Sequence, residues 1–287
     1  MSQVFIGIVF LILATLSTSA FSLIMKFSQE RGYSVLAVGG MNYLIAALVA
    51  GGFTSRSQLA AIPMNLWSIA AASGVSFVLT YLLLTPAMRQ HGVTIPTAAV
   101  QVSMVIPIMV AALFWHDQMG MGQAVGVLIS LLAIFLLAPP PGEAKATHSM
   151  WAYLLVPGIF LTSGGTKLAQ KVLAMPGSGH EQFALASIWF SAAAIFSIGM
   201  LTITGWPKRA GEWFAGAALG LVNLGSLVFT IRTLMVLPAT LVFPAISCLS
   251  LILISGGAYL FWRERLGKRA SVGIIVGVLA VVLVSRR

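Results

Sequence analysis

The chain has 287 residues, of which 59% are hydrophobic and only 8% charged, with a formal net charge of +10 and a mean hydropathy of +1.00. A soluble globular domain carries about 25% charged residues, so this composition excludes one. The Lys and Arg residues sit singly or in pairs at the ends of apolar runs, which is the pattern of membrane topogenesis; it excludes a nucleic-acid partner and names the lipid bilayer as one.

The first apolar span covers 4–25 and ends at Lys26. Neither a basic segment nor an Ala-x-Ala site accompanies it, so it is expected to remain as a helix instead of being cleaved as a signal peptide. It carries the hydroxyl run Ser17-Thr18-Ser19. Spans at 34–53, 66–87 and 93–114 follow. Asn42 and Tyr43 lie in the second, Thr80, Tyr81 and Thr85 in the third, and Pro96, Gln101 and Pro107 in the fourth. A fifth span, 121–138, stops at Pro139, Pro140 and Pro141, three residues that cannot continue a helix. Five more spans are predicted at 150–172, 183–204, 213–235, 238–261 and 270–285. The sixth contains Thr162-Ser163-Gly164-Gly165-Thr166-Lys167, the seventh Trp189, the eighth Asn223 and Arg232, and the ninth Pro244 and Cys248. Trp67, Trp115, Trp151, Trp206, Trp213 and Trp262 fall near span ends, where an aromatic belt belongs.

A repeat organises these spans. Phe114-Trp115-His116-Asp117-Gln118-Met119-Gly120 returns 147 residues later as Phe261-Trp262-Arg263-Glu264-Arg265-Leu266-Gly267, and Val125-Gly126 returns as Val272-Gly273. The halves are 1–138 and 150–287, joined by a linker at 139–149. Five helices per half is an odd number, so the second half starts on the opposite side of the membrane. The expected fold is therefore an all-α integral membrane protein with ten transmembrane helices in two inverted five-helix repeats. Gly122-x-x-x-Gly126, Gly216-x-x-x-Gly220 and Gly273-x-x-x-Gly277 let helix backbones approach closely. Packing within one chain is the simpler use of these faces, and they leave a monomer or a homodimer open.

Taken together, these features resemble the drug/metabolite transporter superfamily, in particular its EamA-type members. The resemblance rests on a pattern that occurs twice: a proline-bearing helix, an apolar stretch ending in an acidic turn, and a glycine-containing final helix. The first copy runs from Ala98 to Ala138 with Pro107 and Asp117, the second from Phe243 to Ser285 with Pro244 and Glu264. The family usually has Glu where Asp117 stands. The resemblance implies an inner-membrane carrier with a central cavity formed mainly by helices 1, 3, 4, 6, 8 and 9, and termini in the cytoplasm. The distribution of Lys and Arg over the loops leans the other way, toward external termini.

Ionisable groups inside a membrane are costly and mark function by default. Glu30, Asp117, Glu143, Glu181, Glu212 and Glu264 all lie at span ends or in loops, so no carboxylate is placed to exchange protons for a cationic drug. Lys167 is about five residues inside the sixth span, preceded by small and hydroxylated residues that could loosen the helix there. It is placed either to pair with a substrate carboxylate or to snorkel to the interface. Arg232 reads as an interface residue. Gln101, Tyr81, Asn223, Ser19, Ser163 and Thr166 complete the substrate-binding candidates, each able instead to bond another helix. Pro96, Pro107 and Pro244 are hinge candidates or static kinks. Trp189 is expected to pack. His91, His116, His148 and His180 lie in turns, Cys248 is alone, and no nucleophile elbow or phosphate loop exists. We expect no catalytic residue, cofactor or metal. The expected function is secondary transport of a small-molecule substrate, most simply an amino acid or similar zwitterion, by alternating access. A lipid-headgroup flippase and a non-transporting scaffold subunit are the alternatives.

Overall fold

The computed structural model of the chain describes residues 3–91, 99–114, 120–137, 150–175, 182–263 and 268–285. Among them eleven α-helices follow one another: α1 (Gln3–Glu30), α2 (Val35–Gly52), α3 (Arg56–Ala61), α4 (Met64–His91), α5 (Val105–Phe114), α6 (Met121–Leu137), α7 (Met150–Leu173), α8 (Gln182–Thr204), α9 (Ala210–Leu234), α10 (Ala239–Trp262) and α11 (Lys268–Ser285). Among the described residues, six stretches are long and apolar enough to cross a membrane: α1, α2, Met64–Leu84 of α4, Gln182–Ile203 of α8, α9 and α10. Ala99–Phe114, Met121–Leu136 and Ser271–Leu283 are shorter apolar helices. Large apolar side chains face outward at high exposure, among them Ile203 at 87%, Phe214 at 78% and Leu48 at 71%. Water would oppose that arrangement and hydrocarbon accepts it. The protein is a multi-pass integral membrane protein.

Local chemistry sets the helix ends. The Ser34 hydroxyl accepts from the Ala37 N–H and caps α2, and Ser55 and Gln58 form a reciprocal capping box at α3. Gly32 at φ +64° and Gly205 at φ +98° follow α1 and α8, turning the chain through conformations that cost a side-chained residue strain. Pro107 lies in the first turn of α5, where a missing N–H leaves no helical bond unmade. Pro244 lies inside α10 and is buried. Pro96, Asp117, Glu143, Glu181 and Glu264 lie outside the described residues.

The described helices pack as two units, each drawing on both halves of the chain. Unit 1 comprises Met1–Val78 with Ala169–Val236, and unit 2 comprises Leu79–Leu168 with Leu237–Arg287. In unit 1, α1 packs on α9, and α2 packs on both α8 and α9. The first pair is antiparallel: Ser34 reaches Glu212 at one end, Thr18 meets Ser226 midway, and Phe10 meets Phe229 at the other. The second pair is antiparallel as well, since Phe53 contacts Phe183 at 5.5 Å while Gly40 faces Leu201. The Glu212 carboxylate, 5% exposed, accepts from the backbone N–H groups of Ser34, Lys208 and Arg209 at 2.9, 2.7 and 3.1 Å. It thereby ties the turn after α1 to the start of α9. Trp189 is fully buried, edge-on to Phe77 at 5.9 Å, in the packing role its depth in the sequence suggested.

In unit 2, α11 packs along α6, with α10 against both. Ala87, Ala99, Leu155 and Ile159 form a further apolar cluster joining α4 to α7. Met64 and Ala210, which begin α4 and α9, lie 146 residues apart, close to the spacing of the sequence repeat.

Candidate functional site

The polar residues singled out in the sequence divide between the units. Lys167, Ser163, Thr166, Gln101 and Tyr81 belong to unit 2, whereas Ser19 and Asn223 belong to unit 1.

Lys167 lies in the last third of α7 and is half-buried. Its ammonium donates to the Val100 carbonyl oxygen and, at 3.0 Å, to the Ser103 hydroxyl. It therefore turns inward toward a neighbouring segment instead of snorkelling. That segment is built to receive it. Residues 99–102 form a helical turn, the chain re-forms as α5 from Val105, and the turn at 103–104 between them presents Ser103. Ser103 in turn donates to Val100 at 2.6 Å, so both acceptors are held by one local hydrogen bond. Gln101 is half-buried on this same segment.

The glycine and hydroxyl run ahead of Lys167 behaves differently from the loosened helix expected. α7 is continuous through it. Thr162 donates to the Gly158 carbonyl at 2.8 Å and Thr166 to the Ser163 carbonyl at 2.7 Å, so these hydroxyls bond their own helix. Gly164 is there for approach: a methyl group at that position would collide with Ile106 of α5. Gly165, by contrast, faces open space and is exposed. The Ser163 hydroxyl is 4% exposed as a residue and has no hydrogen-bond partner among the described residues. Tyr81 is buried in the same unit, on α4.

In unit 1 the Ser19 hydroxyl donates to the Thr15 carbonyl at 2.7 Å, and the Asn223 amide donates to Asn42 Oδ1 at 3.0 Å. Asn42 belongs to the second span, which is not among the helices that the resemblance assigns to the central cavity. Here it is fully buried on α2 as the partner of Asn223, and its own amide nitrogen has no partner among the described residues. Sequence reasoning also passed over Val100 and Ser103. A signal existed for the serine, because Ser103 and Ser250 are 147 residues apart, as are Thr15 and Thr162, and Ser19 and Thr166. These pairs repeat their bonding too: Thr15 donates to Leu11 and Ser250 to Ser247, each within its own helix. Ala20 stands 147 residues before Lys167, so the lysine belongs to one half only.

Chemically, the unit 2 cluster offers one cation held by two neutral acceptors and, among the described residues, one hydroxyl without a partner. It can receive an anionic group and, once the lysine moves to it, return a carbonyl and a hydroxyl as acceptors.

Known proteins resemble this chain. Residues 5–138 match the model of the EamA-like transporter family. A Haemophilus influenzae protein of uncharacterised function is 22% identical over 284 residues, covering 94% of this chain and 95% of its own. One solved crystal structure shares the fold with a TM-score of 0.77 at 14% identity, over 97% of this chain and 96% of that one.

Proposed function

We propose that this chain, with an EamA-like transporter domain as its first half, carries an amino acid or similar zwitterion across the inner membrane by alternating access. The cluster around Lys167 carries this reading. A solute carboxylate is a stronger acceptor for the ammonium than the neutral Val100 carbonyl and Ser103 hydroxyl, because charge-assisted hydrogen bonds are roughly twice as strong. On binding, it displaces those two acceptors, and they are then free to take the N–H groups of the solute's own ammonium. Ser163 and Gln101 add neutral donors.

The transport mode rests on ten spans in inverted halves, 1–138 and 150–287. Two observations support it: Met64 and Ala210, which begin α4 and α9, are 146 residues apart, and the second helices of the two halves, α2 and α8, run antiparallel. Inverted halves exchange inward- and outward-facing states by exchanging shapes. Pro107 and Pro244, and Pro96 outside the described residues, are the bends about which such an exchange would turn. We place the termini in the cytoplasm, as the resemblance to EamA-type carriers implies, against the lean of the Lys and Arg distribution.

The test is a thermal-stability screen of detergent-purified protein against amino acids, sugars, nucleosides, phosphorylated metabolites and quaternary amines, followed by flux into liposomes. Amino acids should stabilise the protein in a dose-dependent way. Lys167→Ala and Gln101→Ala should express normally, with Lys167→Ala losing about tenfold or more in apparent affinity. Wild-type flux in both variants would discard the site, and folded protein indifferent to every class would point to a scaffold or a flippase.

A further inference from the structure

Unit 1 holds a second cation, and we propose that Arg232 is an oxyanion-binding site that takes a carboxylate or phosphate group at the end of α9. Its side chain is fixed from two directions. Nε donates to Gln182 Oε1 at 3.1 Å, and the guanidinium carbon lies 5.3 Å over the Phe10 ring, which stacks on Phe229. Gln182 is itself 5% exposed, with its amide nitrogen donating to the Met235 sulfur at 3.2 Å. The guanidinium plane is therefore set before any ligand arrives.

Among the described residues, the outer edge of the guanidinium stays open. A guanidinium has five N–H donors, of which Gln182 takes one. No described residue accepts from the two terminal nitrogens, and no described carboxylate is within reach. The two described acids of unit 1 lie at its other end. Glu212 is twenty residues back along α9 from Arg232, and Glu30 is twenty residues along α1 from Phe10, each about 30 Å away. Glu212 is also occupied by three backbone N–H groups. A half-buried, oriented fork of donors that no described carboxylate pairs with matches the planar, two-oxygen face of a carboxylate or phosphate. Snorkelling alone would leave the side chain free to reach water and would not require the amide and the ring. None of these residues belongs to the Lys167 cluster, so the inference stands independently of the amino-acid reading.

The experiment uses the full chain carrying Lys167→Met, so that the other cation neither produces nor hides a response. Its thermal midpoint is followed against inorganic phosphate and against acetate, with ionic strength held constant by chloride. It is then measured in phosphatidylcholine vesicles with and without phosphatidylglycerol. The expected result is stabilisation by at least one probe, with Arg232→Gln weakening the apparent affinity about tenfold or more and Phe10→Leu weakening it less. Response to the soluble anions assigns a solute, and response to phosphatidylglycerol alone assigns a lipid headgroup; both support the site. Equal responses with Arg232 and Arg232→Gln, or no response from folded protein to any probe, overturn it. If Arg232→Gln does not fold, Arg232→Lys decides: the point charge should lose most of the affinity, and an unchanged affinity rejects the fork.

Discussion

A methyl group on Gly220 would stand 2.6 Å from the Asn42 carbonyl oxygen and 3.0 Å from Ile45 Cβ. Backbone on one side and a branched side chain on the other leave nothing flexible to move aside. Gly216, one turn earlier, faces Met41 Cβ at 2.5 Å on the same terms. The absence of two side chains is what lets α9 approach α2 closely enough for Asn223 to reach Asn42 at 3.0 Å. Gly220→Ala should therefore destabilise the protein by about 1–3 kcal/mol. Gly165→Ala, with nothing within 4 Å of the new carbon, should be neutral or gain roughly 0.5–1 kcal/mol from helix propensity. Thermal unfolding in one detergent compares the two; equal midpoints would contradict the close approach.

At the level of helices, the pairing of α2 with α8 has a direct chemical check. The carbon that a side chain would add at Gly51 lies 3.7 Å from the Ser187 hydroxyl. With Cys248→Ala removing the native thiol, the pair Gly51→Cys and Ser187→Cys should cross-link on mild oxidation, and Gly40→Cys with Ser187→Cys should not. A reversed outcome would mean parallel helices. The existence of these helices was legible in the sequence because polar residues interrupt the apolar runs. Their ends were less so. α1 continues past Lys26 to Glu30 and α4 past residue 87 to His91, since a helix need not stop where its apolar face does. The site was legible only in part. Lys167 stood out as a charge among small residues, but its acceptors are 67 and 64 residues away, and Asn42 is 181 residues from Asn223. Helical periodicity carries no trace of which distant residue will sit opposite.

Across the whole molecule, repeat and packing unit are different divisions of one chain. Unit 1 needs residues from both halves and is complete at Val236, whereas unit 2 needs the segment from Leu237 onward. Chains truncated after Val236 should still form the Gly51→Cys/Ser187→Cys bridge when inserted in membranes, and those truncated before α8 lack the partner altogether. Failure of the bridge in the first truncation would show that unit 1 needs its neighbour to close.

This interleaving also sets a timetable for synthesis. Asn42 and Asn223 are separated by 181 residues, and a ribosome adding about 5–20 residues per second delivers the second amide roughly 10–40 s after the first. Over that interval α2 lies in the bilayer with its buried amide not yet met by its partner, a window in which wrong partners and quality-control proteases compete for it. Slower codons between the two positions would lengthen the window without changing a single residue of the finished protein.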